Sequence, residues 1–402
     1  MYLIDVLPAA VEPSTTTQRI VCFLTLSTPE EKTDNLDGDG AYQGSRGKGE
    51  VGQSDHLNTL ARANSLSTVY SLGKLIQDGT DVPIPKNTLD TSLRIVPYHY
   101  LVSSPLPIPQ DRVLLSLSEA RRQNLLSSTE DARFDLRIGQ YLGQLHVNVQ
   151  NDWFGIPQSP GQANDPALAP NGMKLSSFLT MTSPPPGGDG AYSWQETFVA
   201  LFEDILSRVE ERLEKGKTLE SDGHIINGDG ISKLRLEDKG EKRVLPSQDI
   251  HRYLARAISF YLFEDVEVPS LVTLTGSADD VFVTLCTPSQ TPTDLDGLPP
   301  RIPPLPEPEI ACILPSLAHA LWGDPLIETM FTPPGPSEAV LEGYAGAGGG
   351  PLILFPRQKT KRLWYTLFST LLMLAEGMPL DEDDTWEMVE KCTEALKDAP
   401  CY

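Results

Sequence analysis

The residues that most often carry catalysis are scattered along this chain and form none of the common catalytic motifs. Six histidines occur, and no two of them have the spacing of zinc ligands. The chain has no GxSxG nucleophile elbow, no HExxH pair and no Walker A phosphate loop. The sequence therefore predicts no zinc site and gives no motif support for a serine hydrolase or a P-loop nucleotide enzyme.

An acidic segment near the N-terminus partly matches a calcium-binding loop. Asp34, Asp37 and Asp39 supply carboxylates, and an EF-hand loop needs oxygen ligands at its first, third and fifth positions. Counting from Asp37 puts Ala41 at the fifth position, and counting from Asp34 puts Leu36 at the third. We interpret residues 31–55 as a mobile acidic loop, and we expect no metal and no cofactor.

The overall charge limits the partners that this protein can bind. The 402 residues carry a formal net charge of -23, which repels both a nucleic-acid backbone and an anionic membrane surface. The most apolar stretch, residues 363–375, is too short to span a bilayer. Five cysteines, an odd number without CxxC spacing, are typical of reduced thiols. We therefore expect a soluble cytoplasmic protein that binds neither nucleic acid nor membrane, with its oligomeric state left open.

Hydrophobic periodicity predicts a mixed α+β chain. Alternating apolar residues predict strands, and an apolar residue every three or four positions predicts helices. The predicted strands cover 19–27, 93–103, two strands within 269–288, and 309–314. The predicted helices cover 55–77, 133–149, 193–215 with Ser193 as the N-cap, 247–264, 358–376 and 383–397. Besides 31–55, the polar or Pro/Gly-rich segments 158–190 and 216–246 are predicted to be surface loops.

Four segments carry a resemblance to a known family. They read LIQDGTDVPIPKNTL, RIGQYLGQLHVNVQNDWFGIP, LVTLTGSADDVFVTL and ACILPSLAHALWGDPLIETMF. Together they resemble the aminoglycoside phosphotransferases and choline-kinase-like proteins over most of residues 60–376. The resemblance implies a two-lobed protein-kinase-like fold, with a small β-containing N-lobe over residues 1–104 and a mainly helical C-lobe over residues 105–402. It also implies that a ligand binds in the crevice between these lobes.

The chain departs from the family where the family performs its chemistry. The family's His-Gly-Asp catalytic loop is matched by Thr275, Gly276 and Ser277, and its metal-binding aspartate by Leu314. The strand that should supply a phosphate-binding lysine, residues 21–27, contains none. Groups of this kind are worth roughly 3–4 kcal/mol each in the transition state. The resemblance therefore implies a degenerate member, a pseudokinase without phosphotransferase activity.

Three functions remain open for such a protein. In the first, the crevice binds a neutral or hydrophobic small molecule, and the protein acts as a cofactor-independent cyclase of the pericyclic, Diels–Alder type in secondary metabolism. In the second, it is a non-catalytic scaffold. In the third, it is an atypical phosphotransferase whose ligands are drawn from Asp279, Asp280 and Glu309. The sequence favours the first and does not decide whether the protein is an enzyme.

The resemblance also names the residues expected around the ligand. Ser277 and His319 are the candidate catalytic residues, because each could orient a carbonyl by hydrogen bonding. Six further residues are expected to contact the ligand, namely Thr275, Asp279, Leu314, Trp322, His146 and Trp153. His146 has the alternative interpretation of a hydrogen-bonded core histidine. Asp324, in the turn Gly323–Pro325, is interpreted as a cap of the following helix start.

Overall fold

The computed structural model describes residues 2–6, 19–27, 64–109, 111–157, 192–221, 244–286, 307–331, 335–350, 356–376 and 382–401. The strands in chain order are β1 (Tyr2–Val6), β2 (Arg19–Ser27), β3 (Asn87–Asp90), β4 (His99–Ser103), β5 (Leu106–Ile108), β6 (Arg112–Ser116), β7 (Ser270–Thr273), β8 (Val281–Cys286), β9 (Glu309–Ile313) and β10 (Ala320–Gly323). The helices are α1 (Leu66–Gly79), α2 (Leu117–Arg122), α3 (Ser128–Asn148), α4 (Trp194–Ser221), α5 (Ser247–Ser259), α6 (Glu338–Gly346), α7 (Pro356–Glu376) and α8 (Glu382–Asp398).

Among these residues the strands form three antiparallel sheets. The largest has the order β1-β2-β4-β3, with β5 also paired to β2. A second sheet has the order β6-β8-β9, and β7 pairs with β10 in a two-stranded ribbon. Short 3₁₀ turns at Ala278–Asp280 and Leu317–His319 connect the strands of the two smaller sheets. The β1–β2 and β3–β4 pairs join consecutive strands. The β2–β4, β2–β5, β6–β8 and β7–β10 pairs join strands separated by long stretches of sequence, so packing rather than a local turn sets their register.

The chain divides into two compact units, which we describe separately. The first contains all ten strands with α1, α2, α3 and α6. The second contains α4, α5, α7 and α8, and its core is aromatic. Phe198 lies at the centre of that core, with ring centroids 4.6 Å from Phe263 and 5.1 Å from Tyr365. The Trp194 indole donates a hydrogen bond to the Tyr365 hydroxyl at 2.7 Å, which satisfies a polar group that packing has removed from water.

The mixed α+β class is confirmed, and most predicted elements exist close to their predicted positions. The strand over residues 19–27 is confirmed, and Ser193 caps its helix by accepting a hydrogen bond from Glu196 N at 3.3 Å. No described helix has the length and apolar character that crossing a membrane requires. The proposed division of the chain into residues 1–104 and 105–402 stays a prediction.

The element bounds differ in three places. The strand predicted over residues 93–103 begins only at His99, and the preceding bend exposes Ile95 at 76%. The helix predicted from residue 55 begins at Leu66, because Ser65 caps it by accepting a hydrogen bond from Thr68 N at 3.2 Å. Residues 55–63 of that prediction lie outside the described residues. Helix α4 extends to Ser221, so the loop predicted over 216–246 begins later than expected. The other loops predicted at 31–55 and 158–190 also fall outside the described residues.

Helices α3 and α6 pack backbone against backbone, and glycines make this approach possible. A Cβ atom added at Gly139 would overlap Val340 O, and one added at Gly343 would overlap Leu136 O. At Gly143 an added Cβ would lie 2.7 Å from Tyr344 O. These positions exclude every side chain larger than hydrogen, because the obstructing atoms are backbone and cannot rotate away. The contact therefore fixes α3 relative to α6 more closely than side-chain packing alone would.

We predict that Gly139→Ala destabilises the protein by about 3 kcal/mol or more, since the two helices must separate to admit the methyl group. Gly346→Ala is the matched control at the end of α6, where an added Cβ meets no atom within 4 Å. The control should be neutral or stabilising by up to about 1 kcal/mol, because alanine favours a helix more than glycine does. Urea unfolding of the three proteins measures both effects. Equal stability of Gly139→Ala and the wild type would contradict the proposed backbone contact.

Candidate functional site

A cavity in the first unit brings apolar side chains and two carboxylates together. The space open to the centres of water molecules is about 70 Å³, enough for several waters. Its walls are formed mainly by aliphatic residues. The lining residues are Ile76, Val82, Ile84, Ile138, Tyr141, Leu142, Leu145, Thr273, Gly276, Ser277, Asp280, Val281, Ile313, Pro315, Ser316, Glu328 and Met330. Among the described residues, no lysine, arginine or histidine lines the cavity, so its two acids have no basic partner in this lining.

One wall of the cavity is the connection between α1 and β3, and side-chain hydrogen bonds fix its path. The Gln77 amide donates to Ile84 O at 3.2 Å and to Pro85 O at 2.8 Å. Gln144 on α3 accepts a hydrogen bond from Asp81 N at 2.9 Å. Amide side chains thus replace the backbone pairing that a strand or helix would supply. They hold the apolar side chains of Val82 and Ile84 against the cavity.

Asp280 is placed by the turn that joins β7 to β8. Ser277 Oγ accepts a hydrogen bond from Asp279 N at 3.1 Å, and Asp280 Oδ2 accepts one from Ser277 N at 3.0 Å. These two reciprocal hydrogen bonds between Ser277 and the turn form a capping box at the start of the 3₁₀ turn. The backbone also holds the turn, since Leu314 N donates to Asp280 O at 2.8 Å. The side chain of Asp280 is therefore held at the cavity wall by its own turn.

The carboxyl of Asp280 is a weaker acid than an ordinary aspartate. Burial among apolar residues, with smaller contributions from the negative charges of Asp279 and Glu328, raises the pKa of Asp280 from 3.8 to about 6. The hydrogen bond from Ser277 N opposes this but does not outweigh the loss of water. A carboxyl with such a pKa exchanges protons near neutral pH, as a general acid or base must.

Glu328 is fully buried and is tied to the end of β7. Its carboxylate accepts hydrogen bonds from Thr273 N at 2.8 Å and from Thr273 Oγ1 at 2.6 Å. The Thr329 hydroxyl lies 3.4 Å from the same carboxylate. Burying a carboxylate costs several kcal/mol unless donors compensate it, and here the donors come from backbone and hydroxyl groups. Both oxygens of Glu328 are therefore occupied by structural hydrogen bonds.

His146 connects Glu328 to α6. Its Nδ1 lies 2.9 Å from the Tyr344 hydroxyl, and its Nε2 lies 3.7 Å from Glu328 Oε2. Burial raises the pKa of Tyr344, with smaller contributions from the charges of Asp324 and Glu328, so the phenol keeps its proton. If the phenol donates to Nδ1, the imidazole carries its proton on Nε2, and this N–H dipole is directed toward the carboxylate. The interpretation of His146 as a hydrogen-bonded core histidine therefore agrees with its contacts.

The structure places one of the eight predicted site residues, Ser277, in the cavity lining. Thr275 lies two residues before Ser277, and its hydroxyl pairs with that of Ser316, a lining residue, at 2.7 Å. Asp279 points away into a cluster of hydroxyls, where it accepts hydrogen bonds from Ser116 and Ser118. The predicted residues of the 275–280 turn thus stay together, but they face different surroundings.

The remaining predicted residues do not line the cavity. Leu314 packs on a core cluster behind the sheets, formed by Val21, Phe23, Ile108, Leu114 and Cys312. Trp153 and Trp322 are each 1% exposed. Trp322 contributes to the pairing of β10 with β7, and its backbone also pairs with Gly155. His319 ends a 3₁₀ turn and accepts a hydrogen bond from Leu274 N through its carbonyl. These residues support the elements around the site by packing and backbone pairing.

The acids considered as relocated metal ligands do not meet. Glu309 on β9 forms an ion pair with Arg112 on β6, and Asp279 is held by the serine hydroxyls. Within the described part of the chain, no three His, Cys, Asp or Glu side chains are grouped so that they could hold a metal ion. Asp324 caps the 3₁₀ turn Pro325–Ile327 by accepting a hydrogen bond from Leu326 N, which confirms its architectural interpretation.

Sequence reasoning missed the role of Glu328 and named Asp280 only as an alternative metal ligand. The signal for Glu328 was a single charge in the mainly apolar run from Leu326 to Phe331, which implies either an exposed position or a buried one with partners. The aliphatic lining residues of α3, Ile138, Leu142 and Leu145, recur at the three- and four-residue spacing that predicted this helix. Those on the α1–β3 connection had no periodic signal, because that segment is neither helix nor strand.

No protein-family model matches this chain, and a search of curated proteins finds no relative. The fold and the cavity therefore carry the functional argument by their geometry.

We predict that Asp280→Asn stabilises the protein at pH 8 by about 1–3 kcal/mol and has little effect at pH 4. Since the folded state raises the pKa of Asp280 to about 6, folding favours the protonated acid, and wild-type stability falls as the pH rises from about 4 through 6. Asparagine has no proton to lose and keeps an oxygen for the Ser277 N–H group.

Chemical denaturation of both proteins between pH 4 and pH 8 measures this difference. Asp279→Asn, one residue away and exposed, is the control for removing an acid from the same turn. If the stability difference between Asp280→Asn and the wild type does not change with pH, the raised pKa is wrong.

Proposed function

We propose that the cavity binds a neutral, hydrophobic small molecule and catalyses a cofactor-independent intramolecular ring closure on it. The observation that carries this proposal is a largely aliphatic cavity with two carboxyl groups, of which that of Asp280 has a pKa of about 6. Aliphatic walls favour apolar ligands by removing their surface from water, at about 25 cal/mol per Å². A few polar groups in such a pocket orient the ligand.

The same composition disfavours nucleotide chemistry. Phosphate groups are bound through lysine, arginine, metal ions or backbone amides. The described lining of this cavity has two carboxylates and no basic side chain. Ser277 stands where the resembled family has its catalytic aspartate. A serine hydroxyl cannot act as a base at neutral pH unless a second, basic group takes up its proton. Phosphoryl transfer is therefore not the activity that we propose.

A pericyclic closure suits a site with this chemistry. In a [4+2] closure three π bonds are replaced by two C–C σ bonds and one π bond within the same molecule. The product is an isomer of the substrate, so no oxidant, reductant or other co-reactant is consumed. The protein contributes by holding the reacting ends together in a shape close to the transition state, which can be worth about 7–11 kcal/mol in favourable cases.

The kinase-like frame is part of this proposal. The cavity takes Ile76, Val82 and Ile84 from before residue 104 and its other lining residues from after it, as expected for a crevice between an N-lobe and a C-lobe. The hydrogen bond from Leu314 N to Asp280 O supports it too, since it joins the two segments that resemble the family's catalytic loop and metal-binding strand. The frame would then position the cavity, while its phosphate chemistry is lost.

A non-catalytic binding protein is the second candidate function. Both acids of the cavity make hydrogen bonds that stabilise the fold, since Asp280 caps its own turn and Glu328 accepts a hydrogen bond from Thr273 N at the end of β7. These structural roles favour a non-catalytic protein. The two functions differ in what happens to a bound ligand. For the proposed cyclase, we expect a natural ligand that is captured from the source cells to be converted when it is incubated with fresh protein. The product should have the same mass as the ligand and a different chromatographic retention. An unchanged ligand would favour the binding protein.

We predict that the neutral fluorescent probe N-phenyl-1-naphthylamine binds the wild type and that Leu142→Lys weakens this binding at least about tenfold, because a charge enters the apolar wall. Val147→Lys is the matched control, since Val147 lies on the same helix but is 40% exposed and outside the cavity. Leu142→Trp should also weaken binding by filling the cavity without adding charge. Equal binding by all four proteins would place the probe elsewhere and contradict the proposal.

We also predict that calorimetry with millimolar Mg²⁺-ATP detects no binding, because two carboxylates and no basic group face the ligand. Submicromolar binding, or transfer of labelled phosphate to any acceptor, would instead support the atypical phosphotransferase.

A further inference from the structure

The polar groups of the cavity differ in whether they are already used by the protein. Glu328 accepts two hydrogen bonds from Thr273, whose hydroxyl is thereby used as a donor. The hydroxyls of Ser316 and Thr275 pair with each other. Asp280 accepts a hydrogen bond at Oδ2 only, and Oδ1 has no hydrogen-bond partner among the described residues. The unpaired Oδ1 of Asp280, a lining residue, is therefore available to a ligand.

The charges around Asp280 favour its neutral form. Asp279 lies beside it in the same turn, and Glu328 approaches from the segment after β10. His146 on α3 contacts Glu328 and does not line the cavity. A ligand that displaces water from the cavity removes the remaining solvation of the Asp280 carboxylate. Ligand binding should therefore draw a proton onto this group, because desolvation penalises the charged form.

We propose that the ligand of this cavity carries a hydrogen-bond-accepting oxygen, such as a ketone, lactone or amide carbonyl, and that protonated Asp280 donates a hydrogen bond from Oδ1 to it. This deepens the proposed function and rests on it. A carboxylic acid kept neutral by an apolar site is a known hydrogen-bond donor to carbonyl and enolate oxygens. Protonated Asp280 discriminates against ammonium ligands, which need the ionised carboxylate. The neighbouring acids discriminate against anions.

The same contact has a chemical consequence for ring closure. A hydrogen bond to a carbonyl conjugated with the reacting alkene withdraws electron density from that alkene, and a diene that donates electrons then adds to it faster. The proton stays on Asp280 throughout, so the acid is unchanged after each closure. The substrate class is thus a neutral polyene or diene whose alkene partner is conjugated to a carbonyl.

Three probes of matched size test the inference, namely cyclohexanone, methylenecyclohexane and cyclohexylammonium. Cyclohexanone and methylenecyclohexane differ only in the replacement of the carbonyl oxygen by CH₂. Methyl NMR titrations that follow Ile138, Leu142 and Ile313 report binding inside the cavity. Each probe is titrated at pH 5 and pH 8 into the wild type, Asp280→Asn and Asp280→Leu. The asparagine amide can donate at both pH values, and leucine cannot donate at all.

For the wild type we expect cyclohexanone to bind about fivefold more tightly than methylenecyclohexane at pH 5, the size of one net hydrogen bond. This preference should be lost at pH 8 once the acid is ionised. Asp280→Asn should keep the preference at both pH values, and Asp280→Leu should lose it at both while still binding methylenecyclohexane.

A preference that does not change with pH in the wild type would overturn the inference, and so would tighter binding of cyclohexylammonium than of cyclohexanone. In either case the binding of a neutral probe would leave the proposed function standing. If neither neutral probe shifts the cavity methyl signals, the proposed function fails, and this inference fails with it.

Discussion

The close contact between α3 and α6 is the constraint on which the site depends. Glycine at 139 and 343 lets the two helix backbones touch, so neither helix can rotate or slide without a clash of backbone atoms. One face of α3 then lines the cavity with Ile138, Leu142 and Leu145, while His146 at its end reaches Tyr344 on α6. A helix fixed this closely can carry both an apolar wall and a buried polar chain. Any larger residue at position 139 or 343 would push the two helices apart.

The second constraint is electrostatic. Two acids line one apolar cavity, and they differ in their hydrogen-bond donors and in the charges beside them. Glu328 receives a backbone N–H, a hydroxyl and a nearby imidazole, which together compensate its burial. Asp280 receives one backbone N–H and two negative neighbours, and its pKa rises to about 6. The two carboxyl groups of this cavity therefore have separate roles, because they receive different hydrogen-bond donors. One acid holds the fold, and the other is left able to exchange a proton.

The amino-acid sequence predicted the elements well and the site only in part. Periodicity alone located β2 and the cores of α3, α4, α7 and α8, because each buries one continuous apolar face. The turn at residues 275–280 was identified as the centre of the site from the family resemblance. The surroundings of its side chains were not predictable, since Asp279 and Asp280 are adjacent in sequence but face serine hydroxyls and the cavity respectively. Leu314 was expected to contact the ligand, yet it packs on a core cluster and does not line the cavity. Which neighbour a side chain meets at such a turn depends on long-range packing that no local pattern records.

The clamped connection between α1 and β3 has a thermodynamic consequence. Gln77 and Gln144 hold this segment through its backbone, so the wall that carries Val82 and Ile84 keeps its shape whether or not a ligand is bound. A ligand that enters need not order a loop, and it forfeits none of its interaction energy to folding. The heat-capacity change of binding should then follow the apolar area of the ligand alone, without the larger negative contribution of coupled folding. We therefore expect the affinity of a ligand to depend first on how well its shape fits the cavity, and second on its polar groups.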